Sequence, residues 1–352
     1  MMNKIASLGT LIDSTLHSEP IDIGDALELN VWHHFTSMMR IRLVENHLAA
    51  MRKGGLIGGP VHLGVGQEAI AVGVSSGLRS TDRVFGAHRS HAHLLALSNG
   101  SLKSLFAELL GKDSGYSRGM GGSMHLWDQP NGFYGSVPIV AGTVPLAVGA
   151  GLAAKMQNTG DVAIAYFGDG AIEEGVVHES LNMAKILDVP IIFVVENNLF
   201  ASHLHISLRQ PKNSTARFAE ANDIPFQVVD GNDVMLVEKV AAEFIKKARA
   251  GVGPAFIEAV TYRWYGHVDW REDIDVGVNR NQAEVDNWRA RDPIRRLKEG
   301  MVQRSMWSDE KEESIRENLL LEIDNAWQSA MLDPYPLKTA LLNHVYFEAG
   351  QK

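Results

Sequence analysis

The chain has no cysteine among its 352 residues. Disulfides, thiolate nucleophiles and cysteine-ligated metal centres are therefore excluded. Nor is there a run of about 18 apolar residues, so no segment reads as a membrane-spanning helix. Positive charge is in deficit: 33 Lys and Arg stand against 42 Asp and Glu, a net charge of −9. That balance argues against nucleic acid or an anionic membrane as the main partner, while leaving room for a local basic pocket. The N-terminal stretch MMNKIASLGTLIDSTLHSEP has neither an apolar secretory core nor an arginine-rich composition, which makes the cytoplasm the expected location. Internal repeats and low-complexity tracts are missing too. What is present is ordinary: 45% hydrophobic and 21% charged residues describe a globular protein, long enough for one large or two modest domains.

Apolar spacing near 3.6 over ALELNVWHHFTSMMRIRLVENHLAAMRKGG predicts a helix that stops at Gly54-Gly55. The residues before it, 1 to about 27, read as an arm. QEAIAVGVSSGL and SLKSLFAELLG read as helices. Residues 111–145 are glycine-rich and aperiodic around GMGGSMH, a long loop of the kind that carries function. From there the pattern becomes regular. A small-residue helix, VPLAVGAGLAAKM, precedes the strand VAIAYF, the helix EEGVVHESLNMAKIL and the strand VPIIFVV. FQVVD, a helix over VMLVEKVAAEFIKKARA capped by Asp233, and the strand AFIEAVTY follow. Short apolar strands alternating with helices predict an α/β fold: a parallel sheet with helices on both faces. A charged helical tail begins near residue 282.

The stretch FGDGAIEEG, Phe167–Gly175, leaves the end of one such strand, and ENN, Glu196–Asn198, leaves the end of the next. Ligands bind beyond the carboxyl ends of parallel strands. If the two strands are neighbours, Asp169 and Asn198 face one crevice. Their carboxylate and amide oxygens suit Mg²⁺ or Ca²⁺, and Mg²⁺ is commonly held by few protein groups plus substrate phosphates. Backbone amides after Gly168 that open a helix offer a phosphate seat. The simpler reading has Asp169 capping that helix, and chemistry alone does not separate the two.

GDG, 26 intervening residues and NN form the signature of thiamine-diphosphate enzymes. The sequence resembles the alpha subunit of the thiamine-diphosphate-dependent decarboxylating component of 2-oxo acid dehydrogenases, in the pyruvate and acetoin branches. The resemblance runs from about residue 35 to 335, through VHLGVGQEA, HRSHAH, GMGGSMH, IVAGTVPLAVGAGLA, GDGA, NMAKILDVPIIFVVENN, TYRWYGH and DPIRRL. It implies that Asp169, Asn198 and the Phe200 carbonyl ligate Mg²⁺. Gly168 belongs to the same motif, and the amides of Gly170 and Ala171 would meet the diphosphate. Arg89 would pair with it, and His88 stands where the pyruvate branch has tyrosine. The backbone around Pro138 and Val140 would touch the aminopyrimidine, and His62, His91 and His267 match active-site histidines. The other histidines, His33, His34, His47, His203 and His205 among them, are expected in structural roles; His125 is assigned to neither class.

The implied domains are 1–34, arm and start of the first helix; 35–281, a thiamine-diphosphate-binding domain on the diphosphate side; and 282–352, the helical tail. Residues 1–141 read as helices and loops, too few strands for a second cofactor layer. A beta subunit is therefore expected to supply the pyrimidine side in an α2β2 assembly, with a lipoyl-bearing acyltransferase as further partner and a small 2-oxo acid or acyloin as substrate. Alternatives are a carboligase using the same cofactor and a non-catalytic regulatory subunit; retention of Asp169, Asn198, Arg89 and His267 argues against the latter. Four departures stand out. Glu173-Glu174 replace uncharged residues and read as first-turn acids complementing a helix dipole. Pro138 replaces a common glycine. LFASHLHISLRQP is unlike the pyruvate enzymes, and Val268 follows GH where the mammalian ones carry a phosphorylated serine.

Overall fold

The structure is a computed structural model that describes residues 6–97, 100–271 and 280–343. Its centre is a six-stranded sheet, parallel throughout: β1 (Arg83–Gly86), β2 (Phe133–Ser136), β3 (Ala163–Gly168), β4 (Ile191–Asn197), β7 (Phe226–Asp230) and β8 (Ala255–Val260). The strand order is β2-β1-β3-β4-β8-β7. A small antiparallel hairpin, β5 (Phe200–Ala201) with β6 (Leu204–His205), lies outside it.

Side chains alternate across a strand, and the central strands are apolar on both faces because both are covered. Ile164 and Tyr166 of β3, with Ile192 and Val194 of β4, join a core with α1 (Glu28–Lys53), α2 (Glu68–Ser75), α3 (His91–Ala96), α4 (Leu102–Leu109) and α8 (Val234–Arg249). Ala163, Ala165 and Phe167, with Ile191, Phe193 and Val195, point the other way. They pack against α5 (Val144–Gln157), α6 (Gly175–Ile186) and α7 (Ala216–Ala221). Fully burying each of the isoleucine, valine and phenylalanine side chains contributes about 1.5–3 kcal/mol. The α2–α8 contact is close: a Cβ on Gly73 would lie 2.8 Å from Val237 Cγ1.

The tail is helical: α9 (Gln282–Arg289), α10 (Pro293–Gln303) and α11 (Asp309–Leu332), whose caps Asn281, Asp292 and Ser308 each accept a bond from a first-turn amide. Leu297, Met301, Ile323 and Trp327 enter the first core. Buried ion pairs fix the tail to the sheet: Asp230, ending β7, takes Arg291 at 3.1 Å and Arg296 at 2.8 Å.

One expectation needs correcting. The stretch before residue 141 contains two strands, β1 and β2, which extend the sheet at one edge. RVFG and FYGS are four residues each, too short to show periodicity, and glycine dilutes both. Among the described residues no helix is long and apolar enough to cross a membrane.

Candidate active site at the strand ends

β3 and β4 are hydrogen-bonded neighbours in a register that sets Gly168 opposite Glu196. The two motifs therefore leave the sheet side by side. A cavity of about 270 Å³ opens there. His88, Arg89, Val140, Gly168, Asp169, Gly170, Ala171, Asn198, Phe200 and His267 all line it, together with Ala87, Glu174, Glu196, Ala201 and Ser202. Pro138 is half-buried and does not line it, although Val140, two residues on, does.

Asp169 is 1% exposed. Burial raises its carboxyl pKa, and the Arg209 guanidinium opposes that rise. Asp169 Oδ2 accepts from Arg209, which also pairs with Glu173 and donates through Nε to the Leu204 carbonyl at 3.1 Å. Asn198 Nδ2 donates to Gln67 Oε1 at 3.2 Å, and its Oδ1 accepts from the Phe200 amide at 3.3 Å. Gln67 thus sets which way the Asn198 amide faces.

The segment after Gly170 is a short 3-10 turn, Ala171–Glu173, and α6 begins only at Gly175. Glu173 and Glu174 therefore precede the helix rather than fill its first turn. Glu173 accepts from Arg209 and, at 2.8 Å, from Gln210 Nε2, whereas Glu174 faces the cavity. Gly170 has no room for a side chain: a Cβ would stand 2.6 Å from Ala201 Cβ.

Three imidazoles gather beside the cavity, and two of them, His88 and His267, line it. The ring centroids of His62 lie 4.8 Å from His88 and 5.1 Å from His267, and those of His88 and His267 are 5.4 Å apart. Burial first, and then the charge of Arg89, push His62 and His267 down to about 3 and His88 to about 2. All three are neutral at pH 7. His62 Nδ1 is buried without a hydrogen-bond partner. Arg89 ties the wall together, donating to the Leu63 carbonyl at 2.5 Å and to the His267 carbonyl at 3.3 Å. Beyond His267, Asp269 takes Arg52 Nε at 3.0 Å and the Val61 amide at 3.2 Å. Residues 272–279, which follow this segment, lie outside the described residues.

His91 is elsewhere. It opens α3, which packs on α1, and it is fully buried. Its Nδ1 meets Glu45 at 3.3 Å and its Nε2 meets Ser123 Oγ at 2.9 Å. Glu45 also accepts the Gly64 amide, at 2.9 Å to Oε2. His91 therefore joins α1, the loop after His62 and the GGSMH segment without lining the cavity.

The sequence reading missed Gln67, Arg209 and His203, whose ring lies 6.0 Å from that of His267. Gln67 had a signal, since it closes the VHLGVGQ motif. Arg209 sat inside the unusual LFASHLHISLRQP segment, and its charge is opposite to that of the equally unusual Glu173.

Residues 36–338 match the family model described as Dehydrogenase E1 component. The chain belongs to that family. The alpha subunit of acetoin:2,6-dichlorophenolindophenol oxidoreductase from Bacillus subtilis is 35% identical over 319 residues, 90% of this chain and 94% of its own. The pyruvate dehydrogenase E1 component alpha subunit of Rhizobium meliloti is 34% identical, covering 86% of each chain. That of Porphyra purpurea is 36% identical over 89% of this chain and 91% of its own. Such dehydrogenase E1 components are oxidoreductases that use thiamine diphosphate, and the E1 motifs quoted from the sequence all fall inside the matched region.

Proposed function

We propose that this chain is the alpha subunit of a thiamine-diphosphate-dependent dehydrogenase. It would decarboxylate a small, pyruvate-like 2-oxo acid, or cleave an acyloin such as acetoin, and pass the acyl unit to a lipoyl acceptor. One observation carries the reading: Asp169, Asn198, Arg89 and two imidazoles line a single cavity at the carboxyl ends of β3 and β4 in an E1-family chain.

The residues fit the cofactor. Asp169, Asn198 and the Phe200 carbonyl are hard oxygen donors that would hold Mg²⁺, leaving about half of an octahedral shell for diphosphate and water. Arg89 and the amides of Gly170 and Ala171 would meet phosphate oxygens, and Gly170 must stay glycine for that segment to lie against Ala201. The backbone at Pro138 and Val140 would meet the pyrimidine. When bound, thiamine diphosphate supplies a nucleophilic carbon and an electron sink. His62, His88 and His267, neutral at pH 7, would accept or return protons at their ring nitrogens. His91 would act through Glu45 and Ser123, holding the His62 loop and the GGSMH segment in place.

The domain division at 35 and 282 and the α2β2 assembly with a beta subunit belong to the same proposal. The apolar side chains Ile139, Val140 and Leu146, exposed beside the cavity and at the start of α5, are where such a subunit would close the site. The test combines the chain with its beta partner, Mg²⁺, thiamine diphosphate and an artificial electron acceptor, over a panel of 2-oxo acids and acyloins. Turnover of one class by the pair, and none by the chain alone, is expected. Robust turnover by the chain alone would remove the beta subunit from the reading, and no turnover by the pair on any substrate would overturn the activity.

A further inference from the structure

We propose that His62, His88 and His267 form a second metal site, for Zn²⁺ or a similar first-row cation, distinct from the oxygen site at Asp169 and Asn198. Each imidazole offers one nitrogen, and the three nitrogens lie within 4.8 Å of one another. His62 is 6% exposed, and its Nδ1 has no hydrogen-bond partner. A buried polar atom without a partner calls for an explanation, and a bound ion is one. Three imidazoles with an open fourth position are a donor set that selects Zn²⁺, Co²⁺ or Cu²⁺ over Mg²⁺, which prefers oxygen.

Two physical terms act on the site. Metal binding needs neutral imidazoles, and burial already keeps these rings neutral, so protons do not compete near pH 7. Against binding stand Arg89 and Arg263, whose charges reach the same rings, with Asp269 a partial counterweight at His62. A dication there is therefore weaker than in an acidic pocket, and a small anion such as hydroxide or chloride is the favoured fourth ligand. Tetrahedral Zn–N bonds of about 2.0–2.1 Å require nitrogens roughly 3.4 Å apart, so the rings close by about an ångström each. His88 and His267, the two rings on the cavity side, are only half-buried. His203, beside His267, is placed to lend support from the hairpin. A metal so placed would exclude substrate from the histidine wall; that consequence rests on the proposed function, whereas metal binding does not.

The experiment titrates Co²⁺ into the tag-free full chain, without thiamine diphosphate and with excess Mg²⁺ to saturate the oxygen site. Intense visible bands of tetrahedral Co²⁺ should grow to one equivalent and should be displaced by Zn²⁺. His88→Phe and His267→Ala should each weaken binding by more than the tenfold or so typical of losing an outer-shell partner. X-ray absorption on the Zn²⁺ form of the wild type should show a nitrogen-rich shell with imidazole scattering, a measurement that does not depend on the variants folding. Absence of the intense bands from folded wild type, bands that survive both substitutions, or an oxygen-rich shell would each overturn the site.

Discussion

Lowering the pH from 7 to 5 is expected to destabilise the cofactor-free chain through His88, and the size follows from its surroundings. Burial, then Arg89, His62, His267 and Arg263, hold its imidazole at about 2, against 6.5 for an ordinary histidine. Because the folded value is the lower one, its contribution is fully present above about pH 6.5 and is lost as the pH falls toward the folded value. At pH 5 the unfolded chain has taken up almost a whole proton at this ring and the folded chain has not. Integrated between pH 7 and 5, an enclosed ring loses about 1.9 kcal/mol. His88 lines an open cavity, so solvent screening reduces the loss to about 1 kcal/mol. Urea unfolding at pH 5, 6 and 7, for wild type and His88→Phe, reads this directly. The wild type should lose about 1 kcal/mol more than the variant over the interval. Equal pH slopes, or a His88 ring that titrates near 6.5 by NMR, would refute the reasoning. His62 and His267 follow the same sign, each held at about 3.

Asp169→Ala should abolish Mg²⁺-dependent thiamine diphosphate binding by calorimetry while the circular dichroism stays native; unchanged affinity would remove Asp169 from the cation site. Arg209→Gln leaves the Asp169 carboxylate buried without its guanidinium, and unfolding of the cofactor-free chain should become easier by about 3 kcal/mol. Mg²⁺ with thiamine diphosphate should recover most of that loss by replacing the cation, so equal midpoints for variant and wild type without cofactor would contradict the pairing. Gln67→Leu removes the partner that orients the Asn198 amide, and Mg²⁺ affinity should fall about 10- to 100-fold. An unaltered Mg²⁺ titration would show that Asn198 needs no such support.

Much of this protein was legible in the sequence, and the reason is period. Central strands such as VAIAYF and IIFVV are apolar on both faces because both faces are covered, and that pattern alone predicts a parallel sheet between helices. The motifs fixed which residue types stand at the strand ends, and adjacency of β3 and β4 brought Asp169 and Asn198 together. Periodicity failed where elements are short: β1 and β2 have four residues each, and α3 has six. It also says nothing about pairing between distant segments. Only the tertiary structure decided that His91 turns into the helix layer toward Glu45 and Ser123, while His62 joins His88 and His267. Only it matched Arg209 to Asp169 and Glu173, which lie 40 and 36 residues away. Local sequence fixes the chemistry a residue carries and the element it sits on; which residues meet depends on how helices and loops pack over the sheet, a long-range outcome that no local spacing encodes.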